Sequence, residues 1–226
     1  MPKVTDRHGR PVSGQMPGLV EAIVVDNVDD AKLSRVKVKF PSLPPPPDGS
    51  EDEMPESYWA RLVMPMAGRE RGWMTIPEIG DEVLVSFMHG DFNHAIVLGS
   101  LYNGVDTPPY ANEDEENNLR VFQSRSGHRV TFDDTDGEER IELISHNEEI
   151  RVIWDSAEKV LSVYSGKDII IEAKETISMK CKEFILGADK TISMKASKTA
   201  ELKATQALTV NGGQMLVLTA QMTKIN

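Results

Sequence analysis

The pentapeptide Thr-Ile-Ser-Met-Lys begins at Thr176 and returns at Thr191, fifteen residues later. Around both copies apolar and polar residues alternate one by one. Aligned on eights from Asp168, the tail reads DIIIEAKE, TISMKCKE, a seven-residue FILGADK, TISMKASK, TAELKATQ, ALTVNGGQ and MLVLTAQ. The fifteen-residue spacing is thus one octet plus the short block. Apolar or small residues fill the even places: Ile169 and Ile171, then Ile177, Met179 and Cys181, then Ile192, Met194 and Ala196. Leu202, Leu208, Val210, Leu216 and Leu218 continue the series. Ser, Thr, Lys and Glu stand between them. A period of two is the signature of a strand with one apolar face, so each block reads as one strand.

Helix is the competing reading, because Ala, Lys, Glu, Leu and Gln between residues 195 and 208 are good helix formers. Apolar places two apart would girdle a helix instead of lining one side of it. As strands, however, the blocks have no second apolar set to cover them, and each leaves two backbone edges unpaired. Turn residues for ordinary hairpins are scarce. Repeat folds solve such a problem by stacking units so that neighbours bury a continuous core. For blocks this short, identical chains winding about one axis would close the sheets. The even places would then form a dry axial core, and a threefold is one of several closed symmetries.

All thirteen prolines lie at or before Pro109, all Trp and Tyr lie before residue 165, and Phe184 is the one aromatic after Gly166. Such a shift marks two architectures in one chain. The first half reads as short strands: Gly18–Val25, Arg35–Phe40, Ser57–Pro65, Gly72–Pro77, Asp81–Met88 and Asn93–Asn103, with turns at Gly80-Asp81 and Gly90-Asp91. Five or so strands in that span suggest a small barrel of the OB type over 18–103. Pro44–Pro47 and the acidic run 48–56 read as a loop, and 104–118 as a linker. Residues 119–151 read as a β-meander neck, and 152–226 as a β-helical needle carrying the octets.

Composition narrows the function. The net charge of −11 argues against nucleic acid, which calls for Lys/Arg patches. One cysteine excludes an internal disulfide and a Cys-rich zinc site. Residues 1–14 have no apolar stretch, so no Sec-type signal peptide is expected. His89, Asp91 and His94 lie close in sequence but read as turn residues without a third well-spaced ligand. No Gly-x-Ser-x-Gly, HExxH or P-loop occurs, and the carboxylates sit in solvated runs. No enzyme activity, metal or cofactor is expected. Trp59 and Trp73 read as barrel core or subunit contacts, with a glycan-binding platform as the other option.

GLVEAIVVDN, RVKVKFPSLP, the stretch from SYWARLVMP to VLGSLYNG, and SRSGHRVTFDDTDGEERI closely resemble the spike proteins of contractile injection machines. That family includes phage baseplate assembly protein V and the VgrG spikes of type VI secretion. The residues that carry the likeness in the barrel are Gly18, Phe40, Trp59, Arg61, Gly68, Gly72, Pro77, Gly80, Asp81, Glu82, Gly90, Asp91 and Gly99. The resemblance implies an all-β homotrimer with an OB collar and an intertwined β-helical needle. It implies a structural spike under the inner tube, driven through a target envelope when a sheath contracts. About seventeen residues precede Gly18, so a separate hub protein is implied, met by residues 1–17. No His stands near the end to form a metal-binding tip, which leaves room for a separate PAAR-type cap. Assembly in the cytoplasm into a phage tail or tail-like particle is implied as well. The alternative is an OB module that binds envelope glycans.

Overall fold

The computed structural model describes residues 18–44 and 54–222. They divide into one compact unit ending at Ile169 and a second beginning at Ile170. No α-helix occurs among the described residues. The N-terminal extension, most of the polyproline and acidic loop, and the last four residues lie outside them.

The first unit opens with a barrel. Its strands are β1 (Leu19–Asp26), β2 (Lys37–Lys39), β3 (Arg61–Leu62), β6 (Glu82–Phe87) and β7 (Ala95–Ser100), in the order β2-β1-β6-β7-β3. A bridge between Val36 and Ala60 joins the outer strands and closes the circuit. Period-two alternation places Ala22 and Val24, Val36 and Val38, Val83 and Val85, and Ala95 and Val97 inside. Phe40, fully buried, packs on Phe87 and Phe92 at ring distances of 5.6 and 5.3 Å. The curvature has a local cause. Pairing slips opposite Leu84/Val85, where Leu98 is left over beside Gly99, and an extra residue bends a strand and raises its twist.

Between β3 and β6 a short arm stands out. It is formed by β4 (Ala67–Gly68) and β5 (Arg71–Gly72), with Glu70 in the left-handed region at φ 53°. The sequence reading of a strand over Gly72–Pro77 does not hold beyond Gly72: the Trp73 amide donates to the Met66 carbonyl, and the residues that follow join no ladder.

A second five-stranded sheet is a meander: β8 (Leu119–Gln123), β9 (Arg129–Asp133), β10 (Arg140–Ile144), β11 (Ile150–Asp155) and β12 (Val160–Ser165). The boundary read at residue 152 therefore falls inside β11, and the sheet continues for one more strand. Trp73 meets Phe122 edge-on at 6.3 Å, and Arg125 reaches Glu78 at 2.8 Å, so barrel and meander touch.

The second unit has no strand ladder and no buried residue among those described. Its backbone runs extended and bends at 174–175, 182, 189–190, 197–198, 205–206, 213–214 and 221. Every bend falls within the last two places of its block. The residue just before is always small: Ala173, Cys181, Ala188, Ala196, Ala204, Gly212 and Ala220. The repeat is thus two larger apolar places, one small place and a corner. At Gly212 the corner tightens to a turn closed by the Met215 amide on the Gly212 carbonyl. A Cβ at Gly212 would lie 2.6 Å from the Met215 carbonyl oxygen, so that corner demands glycine.

Candidate functional site

The OB residues that carry the likeness hold turns and bulges. Gly18, Gly80 and Gly90 have φ of +96°, +101° and +75°, a region that costs other residues strain. The Gly80 amide donates to the Val24 carbonyl, and the Pro77 carbonyl accepts from Asn27 at 3.1 Å. Asp81 accepts the Glu78 amide at 2.9 Å, and Glu82 accepts from Asn103 at 2.7 Å. Phe40 is core, Arg61 opens β3, Gly68 and Gly72 form the arm, and Gly99 sits at the bulge.

Asp91 caps its own turn. It accepts the Asn93 amide and side chain at 3.0 and 2.9 Å and meets His94 Nδ1 at 2.9 Å. These bonds, the Asn93 amide first, hold its carboxyl below the usual range. His89 lies beside it at φ 54°. No group of three metal-type ligands occurs among the described residues. A cleft of about 520 Å³ lies where Glu78, Asp81, Glu82 and Tyr102 meet Phe122. Three of its acids are committed: Glu78 to Arg125, Asp81 to a backbone amide, Glu82 to Asn103; Asp106 lines it as well. These three contacts hold the turn and the strand ends in place.

Neither Trp59 nor Trp73 lies in the barrel core. Trp59 is half-buried on the surface under two cations, Lys37 Nζ at 4.6 Å and the Arg35 guanidinium at 5.8 Å from its ring. Arg35 also grips Asp29 with two bonds of 2.7 and 2.8 Å. That grip pulls the Asp29 carboxyl far below the usual range. Trp73 is half exposed and stands on the arm near Met66 and Met74.

The unusual surfaces are apolar. Ile169, at the end of the first unit, and in the second unit Ile171, Ile177, Met179, Cys181, Ile192, Met194, Ala196, Leu202, Leu208, Val210, Leu216 and Leu218 are all exposed. Globular proteins make about one internal hydrogen bond per residue. Over the described residues from 170 the backbone makes a single bond to itself. The corners also set the phase of the short block. Counting back from Asp189-Lys190, Phe184 and Leu186 occupy the second and fourth places and Ala188 the sixth. The block lacks its first place, so Phe184 and Leu186 share the phase of Ile177 and Met179.

The meander carries the second such surface. Phe132, Ile141, Trp154 and Leu161 stand directly opposite one another across four strands. Phe122, Val130, Leu143, Val152 and Val163 form the neighbouring row of the same face. Most are a third to two thirds exposed. The other face mixes ion pairs with the buried Thr131, Asp133 and Ile144: Arg140 lies 3.1 Å from Asp133 and 3.0 Å from Glu142, and Thr135 donates to Asp133 at 2.6 Å. Monomeric proteins rarely leave so large an apolar patch uncovered.

Residues 20–102 match the family model described as the type VI secretion system/phage-baseplate injector OB domain. A Vibrio cholerae type VI secretion system spike protein, VgrG3, is 32% identical over 140 residues, 60% of this chain and 12% of its own length. The Vibrio cholerae actin cross-linking toxin VgrG1 is 31% identical over 147 residues, 56% of this chain and 13% of its own. The Pseudomonas aeruginosa spike protein VgrG2a is 33% identical over 115 residues, 49% of this chain and 13% of its own. The chain thus spans about an eighth of the length of these relatives. Its barrel is an injector OB domain of the type VI secretion and phage-baseplate kind, and the chain that carries it is VgrG-like, similar to baseplate spike proteins.

Proposed function

We propose that the chain is the central spike of a contractile, tail-like injection machine, and that three copies intertwine through residues 168–222. The observation that carries this is the second unit: seven blocks of one pattern, ending in regular corners, with no ladder partner among the described residues. Three copies would turn Ile, Leu and Met of places two and four inward, and put the small sixth residue where chains turn closest to the axis. The OB collar would face a separate hub protein, and a cap protein would sit at the far end. The part is mechanical, not catalytic, and its target is an envelope crossed when the sheath contracts.

A glycan-binding OB module would need aromatic platforms ringed by polar groups. Trp73 stands among Phe122, Met66 and Met74, which suits a protein contact better. Electron microscopy of the purified protein tests the proposal. The expected particle is a compact head bearing a thin rod, threefold when viewed end-on. A rodless particle would count against it.

A further inference from the structure

Asn-Gly occurs twice in the chain, at Asn103-Gly104 and at Asn211-Gly212. Asparagine is among the thermolabile residues, and a following residue without a Cβ leaves its nitrogen open to the asparagine side chain. The two pairs have opposite surroundings. Asn103 is pinned at both ends of its side chain. Its Nδ2 donates to Glu82 Oε2 at 2.7 Å, and its Oδ1 accepts the Val105 and Asp106 amides at 2.8 and 2.7 Å. Asn211 is exposed, and among the described residues its side chain makes one bond, Oδ1 accepting the Gly213 amide at 3.0 Å. The Gly212 amide donates none among those residues. Bringing Cγ onto the next nitrogen therefore breaks one hydrogen bond at Asn211 and three at Asn103.

The corner also fixes the glycine. A Cβ at Gly212 would meet the Met215 carbonyl oxygen at 2.6 Å and Leu216 Cβ at 2.8 Å, and Gly213 beside it stands at φ +61°. The tight turn thus keeps Asn211 in front of an uncrowded nitrogen. We infer that Asn211 is a site of spontaneous covalent modification, passing through a succinimide to aspartate and isoaspartate. The Gly212 nitrogen, losing its proton, bonds to Asn211 Cγ; the Cγ–Nδ2 bond breaks, and ammonia leaves with that proton. Water then opens the ring at either carbonyl, and nothing is oxidised or reduced. Opening at the main-chain carbonyl gives isoaspartate, which adds one atom to the backbone just before the corner and displaces the last block from the register of those before it. Opening at the side-chain carbonyl gives aspartate, a negative charge in the fifth place, where other blocks carry Glu172, Lys180, Lys195 and Lys203. The step needs only the local backbone and is independent of the spike proposed above.

Peptide mapping by mass spectrometry of the full chain, aged in warm and mildly alkaline buffer, tests it. The peptide holding Asn211 should give two acid forms, one of them a substrate for an isoaspartate-specific methyltransferase. The peptide holding Asn103 should convert about tenfold more slowly, since two further bonds, including one to a carboxylate, must break first. Asn211→Thr places there the residue that the next block holds, Thr219, and should abolish the methyltransferase signal from that segment. An Asn211 that stays intact in the full chain while a synthetic peptide of residues 206–216 converts would overturn the inference, and so would an Asn103 that converts as fast. Aspartate without isoaspartate would also overturn it, since direct hydrolysis of the side-chain amide gives aspartate alone.

Discussion

Ile177→Asp probes the proposed axis with a reversible charge. Ile177 is 51% exposed in the single chain, so its own neighbours already cover about half of it. Burying a whole isoleucine is worth about 1.5–3 kcal/mol, so the remaining half contributes about 1 kcal/mol per chain and about 3 kcal/mol for three. The variant loses that and gathers three carboxylates at one level. At about 5 Å and an effective dielectric of about 20, each pair repels by about 3 kcal/mol, so three pairs add about 10 kcal/mol. Assembly should therefore fail at pH 7. The sign with pH follows from linkage. Crowding raises the carboxyl pKa in the assembled state above its separated value of about 3.9, so lowering the pH favours assembly. Light scattering across pH 7 to 4 should show the variant regaining mass at the acid end, with wild type at each pH as control. Ser178→Asp, one residue along at an outward place, should assemble normally. Wild-type assembly of Ile177→Asp at pH 7, or equal loss in Ser178→Asp, would refute the inward assignment.

Phe40→Ala should destabilise the barrel by about 3–5 kcal/mol in denaturant titration, because Phe40 is fully buried against two rings. Gly72→Ala sets a Cβ 2.7 Å from the Met66 carbonyl oxygen and should distort the arm; loss of the Trp73 fluorescence environment would report it. Asp29 has a folded-state pKa well below its ordinary 3.8, so its contribution is complete above that value and fades as pH falls further. Asp29→Asn should therefore be less stable than wild type at pH 7, with the gap closing in acid melts. Phe184→Asp should block assembly as Ile177→Asp does, whereas Ile185→Asp should not.

What the sequence revealed follows from the length over which each signal persists. The octets are legible because alternation runs for more than fifty residues. The barrel strands β1, β6 and β7 are long and cleanly alternating. The fifth meander strand was not legible. Its hairpin from β11 uses Ser156 to Lys159, closed by the Glu158 amide on Asp155 with Lys159 at φ 59°, and contains no glycine or Asn-Gly to flag it. The strand over 72–77 failed because Trp73 turns back on Met66 instead of pairing forward. Phe184 falls out of phase when octets are counted from Asp168, because the short block drops its first place, and the corner at 189–190 restores the phase. Of the two readings for Trp59 and Trp73, barrel core or subunit contact, the core one does not hold: Val, Ala, Phe40 and Phe87 fill the core, and Trp59 lies outside it under Lys37.

The mass of the native protein tests the central claim most directly. Light scattering with and without unheated detergent should give three times the 25.1 kDa chain in both conditions, since opening the needle would expose apolar surface and backbone edges together. A folded species of 25.1 kDa would mean that the octets find their partners within one chain, and the spike account would fall with the needle.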